Sequence, residues 1–403
     1  MVLKIIDAPM GTGKSTAMMN WCEGHPEQRV IFVTPFLSEV ERIKGRLSFF
    51  VPDSESESSS EAKLPQVKAA IESGKSVITT HSLFLMFTPD MAEDIRKYHY
   101  VLMIDESPDL IRDLSVWDDD KTCLTQFFCD VDEDSGRLLW KKEKKNYSGV
   151  FNDFKNKIDC AEVYSVPNGN LVWMFSYEIL NAFYLICVGT YMFPSSNAAY
   201  YFRFHGYEGE FQKLYVTKDY KLTKSPVEYD MEAIRKLITI DESAKINQYD
   251  MSNNAYSKTW YEKRFDAGIF SRSLYHFVHV NDARKYKDLI WTTYKKYEYP
   301  IAHYKNFGRN LKKGFLSCSI RATNEFSDRH LVAYFVKRCI HPTIQIFLSQ
   351  HGVKIDNDMF ALSEMLQFIW RSAVRNGEPI VVLIPSARMH RLFQEWLDGK
   401  RDL

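Results

Sequence analysis

The segment Ala8-Pro9-Met10-Gly11-Thr12-Gly13-Lys14-Ser15-Thr16 constrains the fold more than any other stretch of the chain. It follows a short apolar run, Val2 to Asp7, that reads as a buried parallel strand, and Ser15 to Trp21 can start a helix. A glycine-bearing link between buried strand and helix lets backbone N–H groups curl around a phosphate at the positive end of the helix. The residues match the pattern G-x-x-x-x-G-K-[ST] except for Ala8 at its first position. Alanine suits that position if it packs tightly without a positive φ. On this reading Ala8 to Thr16 hold ATP, Lys14 is an exposed loop lysine reaching the terminal phosphates, and Ser15 ligates Mg²⁺. The competing reading is a glycine turn with a surface lysine; an intact Gly-Lys-Ser-Thr between strand and helix argues against it.

Further apolar runs repeat the arrangement. Val30 to Val33 ends in Thr34-Pro35-Phe36, Ser76 to Thr80 is followed by His81-Ser82, and Tyr100 to Ile104 ends in Asp105-Glu106. Ligands collect at the C-terminal ends of parallel strands. There Asp105 would hold Mg²⁺ and Glu106 would polarise an attacking water for phosphoryl transfer.

The chain has 403 residues, 45% of them hydrophobic, enough for two domains. Lys+Arg and Asp+Glu are equal at 52 each, so a nucleic-acid surface has to be local. The seven cysteines are scattered without zinc-ligand spacing and read as reduced thiols of a cytoplasmic protein. No signal peptide precedes the loop and no apolar run reaches the roughly 18 residues of a membrane helix, so a soluble protein with no membrane partner is expected.

The acidic serine run 51–63 reads as a flexible surface loop. The stretch after Glu106 is too long for a simple connection and predicts an insertion over about 110–180. It includes Lys141, Lys142, Lys144 and Lys145 beside Trp140 and Tyr147, a combination that can bind single strands but more readily forms a solvated hairpin tip. Asn168-Gly169 predicts a hairpin turn. Leu185 to Thr190 is another strand, and the polar stretch near Thr223 to Pro226 marks a domain boundary. Gln367, Arg371 and Arg375 stand at i, i+4 and i+8, which predicts one helical face.

In their order, Ala8 to Thr16, Val33-Thr34-Pro35-Phe36, Thr79-Thr80-His81-Ser82 and Ile104-Asp105-Glu106-Ser107 resemble motifs I, Ia, Ib and II of superfamily 2 helicases. The resemblance implies an α/β fold of two RecA-like lobes, 1–225 and 226–403, each a mostly parallel sheet flanked by helices, with the insertion in the first. It implies ATP and Mg²⁺ as cofactors and DNA as partner, with Thr34, Pro35, Thr80, His81, Thr323 and Asn324 lining the nucleic-acid track. Gln367, Arg371 and Arg375 resemble motif VI, with Trp370 in place of its glycine and the second arginine one residue late; either arginine could be the finger on the γ-phosphate. The C-terminal tail from Arg321 is similar to phage-encoded replication DNA helicases, which adds other replication proteins as partners. Two other functions stay open: an ATP-switched initiator or loader that binds DNA without unwinding it, and a terminase-like packaging ATPase, for which the second half lacks convincing clustered carboxylates.

Overall fold

β1 (Val2–Asp7) is the expected strand, and it takes an interior place in the largest sheet, of seven strands. β2 (Val30–Thr34), β3 (Val77–Thr80) and β4 (Val101–Asp105) follow; every residue of β2 and β4 is buried, which is why they read as unbroken apolar runs. The computed structural model describes residues 1–53, 60–167, 170–207, 211–281, 285–305, 311–318 and 325–401.

The chain divides into two compact units, Met1–Val227 with Ile340–Ile355, and Glu228–Cys339 with Asp356–Leu403. After β4 the first unit carries five short strands: β5 (Ile111–Leu114), β6 (Cys129–Val131), β7 (Leu138–Trp140), β8 (Glu162–Ser165) and β9 (Leu171–Met174). They form small antiparallel sheets, β5-β9-β8 and β6-β7, around an apolar cluster that includes Leu124, Leu138, Phe154 and Leu171. β10 (Leu185–Thr190), β11 (Gln212–Val216) and β12 (Leu222–Thr223) return to the large sheet. Its order is β12-β11-β1-β10-β4-β2-β3, parallel throughout except for β12. β10 thus stands between the glycine-loop strand and the acidic strand. Asp7 pairs with Thr190 and Gly189 with Asp105, so all three strands finish level at one edge.

Some expectations change. Residues 60–63 of the serine run begin a helix, Ser60–Glu72, while 54–59 lie outside the described residues. The lysines of the insertion follow β7 rather than tipping a hairpin, and Trp140 stacks on Phe128 at 5.4 Å with its Nε1 donating to the Lys144 carbonyl. Its ring is thus spent on the insertion's own packing. The helix Pro342–Gln350 lies in the first unit, although the sequence assigns it to the second lobe. Phe347 explains it, packing 5.0 Å from Tyr164 and 5.2 Å from Phe204.

The second unit holds β13 (Ile238–Ile240), β14 (Leu289–Thr292), β15 (Leu331–Tyr334) and β16 (Ile380–Leu383), ordered β13-β16-β15-β14 and wholly parallel. Each unit is therefore a mostly parallel sheet flanked by helices, the class the sequence predicts. Among the described residues no helix is long and apolar enough to cross a membrane.

Candidate phosphate-loop site

Gly11 and Gly13 have φ of 83° and 85°, a left-handed conformation that costs glycine little and other residues more. Ala8 is fully buried and has no positive φ, so its methyl group fits where the pattern has glycine. Thr12 Oγ1 donates to the Pro9 carbonyl at 2.8 Å, tightening the loop. Gly13 is the N-cap of α1 (Lys14–Gly24), and no side chain caps that end.

The exposed lysine expected from the sequence is buried. Lys14 is 6% exposed, and its Nζ donates to the carbonyls of Ala8 at 2.7 Å and Pro9 at 2.9 Å. A buried cation requires such partners, and here the loop's own backbone supplies them. The next residue reaches across the sheet edge: Ser15 Oγ donates to Asp105 Oδ2 at 2.7 Å. Burial, and then the neighbouring Glu106 carboxylate, push the Asp105 carboxyl up to about 6 against the opposing pull of Ser15 and Lys14. A hydroxyl and a buried carboxylate in contact form a donor set suited to a hard divalent cation.

Glu106 is half-buried with φ 62°, a conformation that costs a non-glycine residue about 1–3 kcal/mol. Its amide donates to the Gly189 carbonyl at 2.9 Å, and Ala8 N donates to the Thr190 carbonyl at 3.1 Å. The end of β10 therefore ties the loop and the acidic pair to one backbone. His81 Nε2 donates to the Asp105 carbonyl at 3.0 Å.

The strand-end residues are placed less openly than a nucleic-acid track implies. Thr34 is fully buried, so its side chain offers no surface, and Pro35 is half-buried. Thr80 Oγ1 accepts from Leu83 N at 3.3 Å, capping the short helix His81–Phe84. Thr323 and Asn324 lie outside the described residues.

In the second unit the expected single face is broken. The helix carrying Gln367 runs Asn357–Ile369 and stops before both arginines. Ser372 takes an extended conformation, φ −86° and ψ −175°, while its amide and hydroxyl both donate to the Ile369 carbonyl, at 3.1 Å and 2.7 Å. The Ala373 amide pairs with the Arg329 carbonyl at 2.8 Å instead of continuing the helix. Gln367 Nε2 donates to Ser363 Oγ at 3.3 Å, Arg371 is 5% exposed, and Arg375 is exposed in the separate turn Ala373–Asn376.

Residues 232–397 match the family described as the YonV C-terminal Rossmann-like domain. The chain is also 31% identical over 415 aligned positions to the SPbeta prophage-derived uncharacterized protein YonV of Bacillus subtilis (strain 168), covering 99% of both chains. This chain belongs to the YonV family. Two solved structures are similar in outline. Xpd4 of S. tokodaii aligns with a TM-score of 0.47 and 12% identity over 100% of this chain and 94% of that one. The DUF1998 helicase MrfA bound to DNA aligns with a TM-score of 0.34 and 10% identity, over 99% of this chain and 46% of that one. Both likenesses are too loose to assign a function.

Two residues of this YonV-family chain stand at the site without having been singled out by sequence. Asp7, the last residue of β1, accepts from Met192 N at 2.8 Å and Phe193 N at 3.0 Å, and burial raises its carboxyl to about 6. It fixes the turn after β10; an acid directly before the loop was its one sequence signal. Tyr220 packs on Gly13, and nothing local in the sequence marks it. The arginines give a direct test of placement. Arg371→Ala should lower the melting temperature by several degrees, because deleting a buried side chain leaves a cavity, while Arg375→Ala should melt like wild type. Equal melting temperatures for the two variants would contradict the burial.

Proposed function

We propose that this protein is an ATP-dependent nucleic-acid helicase or translocase that acts in phage DNA replication. The observation that carries the reading is the 2.7 Å contact between Ser15 and Asp105, which joins a glycine loop to the acidic end of β4 across the intervening β10. The loop amides would hold the phosphate chain and Lys14 would leave its two carbonyls for the terminal phosphates. Ser15 and Asp105 would hold Mg²⁺, which when bound offsets phosphate charge during transfer. Glu106, half-buried beside them, would take the proton of the attacking water. The resemblance to motif VI gives Gln367 and one of Arg371 and Arg375 a role towards the γ-phosphate. The link from His81 to the Asp105 backbone supports coupling between a nucleic-acid track and the acidic pair. The prophage origin of the Bacillus subtilis relative supports the phage setting.

The test is phosphate release from MgATP with and without single-stranded and forked DNA. Stimulation by DNA is expected. Turnover indifferent to every DNA and RNA tried would sink the translocase reading. Since contacts are expected mainly with phosphates, DNA affinity should fall steeply and linearly on a log–log plot against salt, with little dependence on sequence. Tight, salt-insensitive binding to one short site would instead favour an initiator, and binding without strand displacement an ATP-switched loader.

A further inference from the structure

Gly13 has no free space beside it. A Cβ there would stand 2.4 Å from Tyr220 Cδ1 and 2.5 Å from Cε1, so the phenol ring lies directly on the loop backbone. Tyr220 belongs to the tight turn between β11 and β12, closed by Tyr220 N donating to the Thr217 carbonyl at 2.9 Å and Thr217 N to the Lys221 carbonyl at 3.0 Å. Its φ is 56°, unfavourable for a residue with a side chain, and its carbonyl accepts from Asn20 Nδ2 of α1 at 2.7 Å. Asn20 is in turn held by Arg46 Nη2 at 2.8 Å. A left-handed, doubly anchored tyrosine is fixed in place, yet it remains 47% exposed. An aromatic residue of that size left half in water at a rigid position has an unused face.

Its direction follows from topology. Gly13, Thr16 and Asn20 are spaced to share one face of α1, and the turn runs along that face, main chain at Asn20 and ring at Gly13. The acidic pair stands at the end of β4, on the β10 side of β1, whereas Tyr220 stands beyond β11, on the other side. A triphosphate whose terminal group points to Lys14, Ser15 and Asp105 must lead its nucleoside away from them, towards the β11–β12 turn.

We propose that Tyr220 is the platform on which the nucleotide base stacks, making the site selective for nucleoside triphosphates, purines above pyrimidines, over bare polyphosphate. The assignment rests on the phosphate-loop reading and adds the base to it. Stacking needs the flat ring and not the hydroxyl, and a purine offers the larger π-face.

Titration calorimetry of the full chain with MgATP, MgCTP and magnesium tripolyphosphate tests it, using wild type, Tyr220→Phe and Tyr220→Leu, with melting curves to confirm folding. Wild type should bind ATP more tightly than CTP, and CTP more tightly than tripolyphosphate. Tyr220→Phe should keep that order, and Tyr220→Leu should lose about tenfold in ATP affinity with tripolyphosphate unchanged. ATP binding by Tyr220→Leu at wild-type strength overturns the platform while the phosphate loop stands. Equal loss for ATP and tripolyphosphate makes the ring a brace of the loop and likewise overturns it. Wild type binding neither ATP nor tripolyphosphate removes the phosphate-loop reading itself, and this assignment with it.

Discussion

Glu106→Gln is expected to leave MgATP binding in place and to lower hydrolysis by about 10²- to 10⁴-fold, the loss typical of removing a general base. The substitution keeps the side chain's shape, and the Glu106 amide, held by the Gly189 carbonyl at 2.9 Å, fixes the backbone whatever the side chain carries. The groups assigned to the metal are elsewhere: Ser15 and Asp105 remain in contact at 2.7 Å. Removing the Glu106 charge also relieves the largest cause after burial that raises the Asp105 carboxyl, so Asp105 should ionise more easily and hold Mg²⁺ at least as well. Nucleotide binding by titration and phosphate release by a coupled assay separate the possibilities. Loss of binding would mean that Glu106, not Asp105, holds the metal. Unchanged turnover would leave the base unassigned.

What the sequence revealed and what it hid divide along a physical line. β2 and β4 are legible because parallel strands buried on both faces need unbroken apolar runs, β1 because Leu3, Ile5 and Ile6 keep most of that character around Lys4, and the loop because its positive φ values need glycine. The burial of Lys14 is not, since its partners are backbone carbonyls, which leave no mark on residue type. The helical spacing of Gln367, Arg371 and Arg375 is real in the sequence, but the Arg329 carbonyl takes the Ala373 amide, and no local pattern reports a partner that distant. The unit that takes the helix Pro342–Gln350 is hidden for the same reason: an apolar face announces that it will be covered, not by which unit. In the second unit, Tyr256, Trp260, Tyr261 and Phe270 form one aromatic core whose order exists only in three dimensions.

Lys14→Ala is expected to reduce ATP turnover by at least the 10²- to 10³-fold that follows loss of one charge-stabilising donor, and to weaken ATP binding as well. The buried position adds a second effect that an exposed lysine would not have. Its ammonium satisfies the Ala8 and Pro9 carbonyls, and removing it leaves acceptors without a donor, a cost of about 1–3 kcal/mol for a buried group. The variant should therefore melt a few degrees below wild type, yet remain folded, because the core beneath the loop is built by Ile6, Ala17, Met18 and Phe32. Lys14→Arg should not rescue turnover, since a planar guanidinium cannot take the place of a compact ammonium between two carbonyls 2.7 Å and 2.9 Å away. In wild type the same bonds predict a competition: phosphate must draw Nζ away from them, so ATP binding should loosen the loop's hydrogen bonds even as it orders the ligand. The Lys14 Nζ resonance should shift when ATP binds, while the amides of residues 10–15, which would donate to the phosphate chain, should exchange more slowly. Full turnover in Lys14→Ala, with the variant folded, would remove the phosphate-loop assignment and every role built on it.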